Sequence, residues 1–284
     1  MEISVSLPTS LPAKGVITWA RRAEGAGFKI LTSGDRMITT DLETLVSFAA
    51  VAACTERIEL ITSVILSPLR ANHLAFAREV ATLDHFSEGR LTLGLGVGSR
   101  AEDYAESGVD FHRRGALMDA QLERITSIWR GMLPEVGPAP YTPGGPPILF
   151  GGRAPAVLQR VARWGAGWIC PTSGGVEGFT VAKEELAKLW EAESRDRRPR
   201  LLANGPRYAL GAKAEAAADE AVRAYNAAHA TSSVTQTLRP VMTSGEEIRE
   251  QMAAFAAAGC DVLCLSPAEY EPEQIELLAE AIGL

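Results

Sequence analysis

Cysteine is scarce in this chain, with four in 284 residues, at positions 54, 170, 260 and 264. None stands in the C-x-x-C spacing of a zinc knuckle, and four dispersed thiols do not make a disulfide framework. Cys260 and Cys264 lie in the apolar run GCDVLCL, which reads as a strand carrying buried free thiols. Histidine is equally sparse: His73, His85, His112 and His229 are scattered, and both HExxH and G-x-S-x-G are absent. Neither a metal centre nor a serine-hydrolase site is therefore expected. An excess of basic charge is missing too. Against 35 Asp and Glu there are 28 Lys and Arg, a net charge of −7, which argues against a surface that tracks nucleic-acid phosphates. No uninterrupted apolar stretch approaches the roughly 20 residues that span a bilayer. The N-terminal stretch MEISVSLPTSLPAKG has no basic segment followed by an apolar one. The expectation is a cytoplasmic protein with no membrane and no nucleic-acid partner.

What the chain does have is alternation. Strand-like runs are expected at 3–7, 28–32, 58–66, 90–93, 148–150, 167–170, 200–210 and 261–265. Helical patterns fill 14–25, 41–52, 72–86, 113–130, 155–164, 177–193, 212–229 and 245–258, with one more at the C-terminus. Asp41 is the expected N-cap of the second helix. The run IELITSVIL at 58–66 is nearly continuous in aliphatic residues, as in a strand covered on both faces. Residues 134–147 form a proline- and glycine-rich connection, Gly205-Pro206 interrupts the seventh strand, and 231–243 is the least clearly patterned segment. Strands that each lead into a helix predict parallel pairing with right-handed crossovers. Eight such units in about 250 residues favour a single (β/α)8 TIM barrel over 1–284 rather than an open doubly wound sheet.

The stretch LDHFSEGRLTLGLGVGSR at 83–100 organises this alternation, running from helix through a tight turn into a strand with Gly94, Gly96 and Gly98. Alternating glycines leave every second position bare, so that either another packing layer or a flat ligand can approach the backbone. Residues 96–101 also fit the G-x-G-x-x-A dinucleotide fingerprint. A Rossmann unit, however, needs a second strand ending in an acid about 20 residues on. Residues 112–131 read as helix instead, which disfavours an NAD-dependent dehydrogenase. In a barrel, chemistry belongs at the C-terminal strand ends. Those ends are rich in glycine, serine and threonine, a composition suited to a flat, polar, phosphate-bearing ligand. Gly151-Gly152-Arg153 at the start of a helix is the best single phosphate candidate, against an ordinary βα turn with a solvated Arg153. His112 with Arg113 and Arg114 marks a second basic point, or a solvated helix start.

Five stretches carry a resemblance: ARRAEGAGFKIL, AREVATLDHFSEGRLTLGLGVGS, ITSIWRG, PPILFGGRAPAVLQRVARWGAGW and EEIREQMAAFAAAGCDVLCL. Together they resemble the luciferase-like monooxygenase superfamily, bacterial luciferase-like proteins that use FMN or the deazaflavin coenzyme F420. The resemblance implies a TIM barrel with the cofactor ring across its C-terminal mouth. It implies a third-strand bulge behind the ring at Ser63 and Val64, often with a non-proline cis peptide. Gly98, Ser99 and Arg100 then fall near the ring and ribityl chain, and Gly151, Gly152, Arg153, Thr172 and Ser173 near the cofactor phosphate. Many members end the second strand with Ser-Asp-His, whereas this chain reads Ser33-Gly34-Asp35-Arg36. Arginine is no neutral proton shuttle at pH 7, but it can stabilise negative charge on a reduced ring or a substrate. Asp35 and Arg36 are therefore the catalytic candidates. The implied activity is an oxidoreductase of the monooxygenase type acting on a small organic substrate, with F420 favoured and FMN the alternative. The segment SGEE and the short loops carry that preference. A reductase supplying reduced cofactor is the implied partner, and the alanine-rich helices suggest a homodimer. The alternative reading is a barrel that binds flavin without turnover.

Overall fold

A computed structural model describes residues 1–229 and 241–284, and it leaves out the side chains of Thr172 and of residues 225–229. Among the described residues, nine strands form one sheet: β1 (Glu2–Ser6), β2 (Ile30–Ser33), β3 (Glu59–Thr62), β4 (Ile65–Leu66), β5 (Leu91–Gly96), β6 (Ile148–Gly151), β7 (Gly167–Pro171), β8 (Arg200–Tyr208) and β9 (Val262–Pro267). Every pairing is parallel, in the order β3-β2-β1-β9-β8-β7-β6-β5-β4, and β3 also pairs with β5 to close the ring. Because β3 and β4 are two halves of one stave, this is the expected closed barrel of eight staves. Around it run α1 (Ala13–Gly25), α2 (Thr44–Ala52), α3 (His73–Phe86), α4 (Ala101–Glu106), α5 (Arg114–Trp129), α6 (Pro155–Trp164), α7 (Gly175–Ala192), α8 (Ala214–His229), α9 (Gly245–Ala257) and α10 (Gln274–Ile282). Among the described residues, no helix is long and apolar enough to cross a membrane.

Two-sided burial explains why the strands read as unbroken apolar runs. Ile30, Ile61, Leu149, Ile169, Leu202, Val262 and Cys264 fill the barrel interior. Alternate positions such as Leu31, Leu60, Trp168, Leu201 and Leu263 join the larger core beneath the helices. The floor is sealed by charge. Arg200, first residue of β8, donates to both oxygens of Glu59 at 2.6 and 3.0 Å, and Thr92 Oγ1 donates to the same carboxylate at 2.7 Å. Burial alone would lower the Arg200 pKa, but the Glu59 carboxylate outweighs it and raises it.

The structure departs from the sequence reading at three places. The second helix starts at Thr44, and its N-cap is Glu43 rather than Asp41: the Glu43 carboxylate accepts from the Val46 N–H at 2.7 Å. The charged segment after the glycine ladder contains a helix, α4, capped at its end by Ser107. The run 58–66, one strand by composition, is divided into β3 and β4 at Ser63 and Val64, whose peptide bond is cis, as the family resemblance implied. Most of 231–243 lies outside the described residues, although Met242 forms an isolated parallel bridge to Tyr208.

That division explains the glycines. A Cβ at Gly94 would lie 1.8 Å from the Thr62 carbonyl oxygen, one at Gly96 2.4 Å from a Val64 methyl, and one at Gly98 2.8 Å from a Leu66 methyl. The space at residues 94, 96 and 98 is thus taken by residues 62, 64 and 66, although the ladder itself pairs Leu95 with Ile65 and Gly96 with Leu66. Of the two possibilities open to a bare strand, the neighbouring stave takes the space.

Candidate active site at the barrel mouth

A cavity of about 710 Å³ opens at the C-terminal end of the barrel, bounded by the ends of β1, β2, β3, β7, β8 and β9. Its wall is hydroxyl-rich. Thr32 Oγ1 lies 3.3 Å from both Ser4 Oγ and Ser6 Oγ, and Ser6 Oγ lies 2.8 Å from Ser266 Oγ. Ser63 also lines the cavity. Its Oγ is buried with no hydrogen-bond partner among the described residues, while its carbonyl accepts from Asn204 Nδ2 at 3.5 Å across the barrel. An orphaned buried hydroxyl in a polar cavity is a place where a ligand atom restores a lost hydrogen bond.

Asp35 and Arg36 both reach the cavity, and both are committed to ion pairs. The Asp35 carboxylate, 3% exposed, accepts from Arg70 at 2.9 Å and from the Leu66 N–H at 3.1 Å. The same Arg70 nitrogen donates to Glu43 at 2.8 Å. Burial alone would lower the Arg70 pKa, but these two carboxylates reverse that and raise it. Asp35 thus ties the end of β2 to β4. Arg36 Nε lies 3.0 Å from Asp103, which also accepts from the Ile38 N–H at 2.9 Å, and Arg36 reaches Glu102 at 3.9 Å. This pair fastens the loop after β2 to α4. Tyr104 anchors α4 in turn, donating its hydroxyl to the Val97 carbonyl, and burial pushes its phenol up to about 12.

A second group forms at the ends of β6 and β7. Val64 sits between Gly96 and Gly151, since a Cβ on Gly151 would come within 2.6 Å of a Val64 methyl. Gly152 has a φ of 128°, which glycine alone adopts readily, and its carbonyl accepts from Trp168 Nε1 at 2.6 Å. Arg153 is exposed and donates to Ser173 Oγ at 3.3 Å. Its guanidinium covers Gly174 and Gly178, where a Cβ would meet it at 2.1 and 2.9 Å. Gly174 is the N-cap of α7, and Ala154 is the N-cap of α6; neither offers a side-chain cap. A cation over the positive end of an uncapped helix is repulsive unless an anion lies between them.

The structure therefore brings Ser63, Asp35, Arg36 and Ser173 around one cavity. It brings Arg153 and Ser173 together at the start of α7, while Gly152 packs against Val157 and bonds Trp168. Thr172 begins the short 3-10 turn leading into α7, and its side chain is outside the described residues. Gly98, Ser99 and Arg100 follow β5 and are not part of the cavity wall; Arg100 is the N-cap residue of α4. Sequence reasoning missed Arg70, Tyr104 and Ser6, whereas Arg207 and Ser266 stand at the C-terminal strand ends where a barrel places its chemistry. The Gly205-Pro206 interruption proves to be a register shift between β8 and β9. Among the described residues, no group of His, Cys, Asp and Glu could hold a metal ion.

Comparison with known proteins agrees with this architecture. Two solved structures share the fold over nearly the whole chain. The monooxygenase RslO1 of Streptomyces bottropensis has a TM-score of 0.81 at 20% identity, covering 99% of this chain and 98% of that one. The coenzyme F420-dependent tetrahydromethanopterin reductase of Methanopyrus kandleri has a TM-score of 0.80 at 15% identity, covering 99% and 97%. In sequence, the F420-dependent glucose-6-phosphate dehydrogenase of Nocardia farcinica is 33% identical over 146 residues, 46% of this chain and 44% of that protein. The chain spans less than two thirds of the length of the curated relatives it matches. The sequence profile of the luciferase-like monooxygenases matches residues 1–259, and the chain belongs to that family.

Proposed function

We propose that this protein is an F420-dependent oxidoreductase acting on a small organic substrate at the barrel mouth, with FMN as the alternative cofactor. The observation that carries the reading is the position of Arg153, poised over the uncapped start of α7 beside Gly152 and Ser173. The exposed Glu177 in the first turn of α7 offsets that charge in part, an anion seated beside Arg153 would offset it further, and the arrangement adjoins a hydroxyl-lined cavity with an orphaned Ser63 Oγ. These residues fit a phosphate-bearing, flat cofactor. The F420 dependence stated for the Nocardia and Methanopyrus relatives supports the choice of cofactor.

When bound, such a cofactor supplies the hydride or electron chemistry, and the protein supplies binding, orientation and electrostatics. Arg153, Ser173 Oγ and the first N–H groups of α7 would hold the phosphate. Val64 would stand behind the cofactor, and Ser63 Oγ would gain its missing partner. Arg36, its charge largely taken up by Asp103 and Glu102, would add a weaker positive field for a reduced ring. Asp35 acts through Arg70, fixing the wall. Among the described residues no histidine lines the cavity, and the hydroxyl chain Ser266–Ser6–Thr32 is a candidate route for a proton beside the carboxylates Asp35, Asp41 and Glu43. The engagement of Arg36 in an ion pair favours one competing reading, a barrel that binds flavin without turnover. The two readings differ in whether bound cofactor changes redox state when candidate substrates are added. Cofactor titration of the purified protein, followed by absorbance and fluorescence, tests the proposal: saturable binding of F420 or FMN supports it, and binding of neither overturns it.

A further inference from the structure

Three arginines line the mouth: Arg36, Arg70 and Arg207. Arg70 is held by Asp35 and Glu43, and Arg36 by Asp103 and Glu102. Arg207 is half-buried, and among the described residues no side chain or carbonyl accepts from it or pairs with it. Its direction is set by the backbone. In a regular strand, residues three apart face opposite sides. Asn204 faces the barrel interior, reaching the Ser63 carbonyl, yet Arg207 also lines the mouth, while Tyr208 is buried on the outer side against Gln274. The reason is the irregular register: Asn204 pairs with Cys264 and Arg207 with Ser266, three steps on β8 against two on β9. Gly205, with a φ of 135°, and Pro206 form the extra step. A bulge of this kind re-aims a side chain.

We propose that Arg207 is the substrate-recognition residue of the mouth and that the substrate carries a carboxylate, seated between Arg207 and the Ser266 hydroxyl. This rests on the reading that the cofactor phosphate lies at Arg153. No nitrogen of Arg207 is among the buried orphaned atoms, so its guanidinium is served by water in the open mouth, and an anion that enters with the substrate replaces that water with a charge-assisted pair. The guanidinium fork matches the planar carboxylate with two parallel hydrogen bonds. One uncommitted cation matches one negative charge. A phosphate dianion would stay half-neutralised, because the other two arginines of the cavity are already paired.

The test is calorimetric titration of the purified protein, first without cofactor and then loaded with it. The probes are matched pairs: butyrate with butan-1-ol, hexanoate with hexan-1-ol, and phenylacetate with 2-phenylethanol. At least one carboxylate is expected to bind about tenfold or more tightly than its alcohol. Arg207→Met is expected to abolish the preference and Arg207→Lys to restore part of it, with F420 and FMN affinities unchanged in both. Should Arg207→Met fail to fold, Arg207→Gln serves the same comparison. The proposal is overturned if no carboxylate binds, if the Met or Gln variant keeps the preference, or if the substitution weakens cofactor binding instead. Failure of the cofactor reading is separate: the unsubstituted protein then binds neither F420 nor FMN, and the cofactor-free titration still decides the role of Arg207.

Discussion

The guanidinium of Arg70 lies 2.9 Å from the carboxylate of Asp35 in the wall of the mouth, with 17% and 3% of the two side chains exposed. Removing one partner of such a pair strands the other as a buried, uncompensated charge, at a cost of about 3–5 kcal/mol. Arg70→Met is expected to lose stability of that order in urea unfolding. The double variant Asp35→Asn with Arg70→Met is expected to recover part of the loss. Additive losses in the double-mutant cycle would show that the pair does not hold the wall.

The glycine ladder makes a second expectation, about packing. Gly94→Ala sets a Cβ against the Thr62 carbonyl, a backbone atom that cannot step aside, and the expected loss is about 3 kcal/mol or more. Gly25→Ala, at the end of α1 with nothing within 4 Å of the added carbon, is the control; it should be neutral or stabilising by about 0.5 kcal/mol. Urea midpoints of the two variants check both values. Equal effects would contradict the account of the ladder.

How much of this was legible beforehand depended on distance along the chain. The barrel was legible because two-sided burial writes itself into each strand as a short apolar run, and the helix patterns separate those runs. The proposed phosphate end drew on a local signal, since Gly151, Gly152 and Arg153 stand together at a strand-to-helix junction. The break at Ser63 and Val64 came from the family resemblance, since TSVIL has the composition of an ordinary strand. The pairs that shape the mouth had no local signal: Asp35 meets Arg70 across 35 residues and Arg36 meets Asp103 across 67. The glycines were recognised as bare, but their occupant, the adjacent stave, emerged only from the three-dimensional register.

Arg153 separates binding from stability. Its charge over the start of α7 opposes the helix dipole, so Arg153→Ala is expected to leave the cofactor-free protein as stable as before or more stable by about 0.3–1 kcal/mol. The same substitution is expected to weaken cofactor binding about tenfold or more, through loss of a charge-assisted hydrogen bond. Thermal melts and cofactor titrations, run side by side, check the two signs. A destabilised variant with unchanged cofactor affinity would assign Arg153 a purely structural role.

Acid sensitivity should arise partly at Glu24, on the last turn of α1. Burial alone would raise its pKa, but the N–H groups of Arg57, Ile58 and Glu56 outweigh it and hold the group below its ordinary 4.5. The unfolded chain therefore binds that proton more readily than the folded one. The stabilisation is fully present above the unfolded value and is lost as pH falls through the lower folded value. Glu24→Gln is expected to be less stable than the unsubstituted protein at neutral pH, with the difference shrinking on acidification. A difference that does not vary with pH would contradict this assignment.

The central claim is that the mouth and the Arg153 cradle together hold a flavin-type cofactor. Its most direct test is the titration of the purified protein with F420 and with FMN, read by fluorescence, for the unsubstituted chain and for Arg153→Ala. The account predicts saturable binding of at least one of the two, F420 more tightly, and a marked weakening in the variant. Absence of binding by either cofactor to the unsubstituted protein would contradict it.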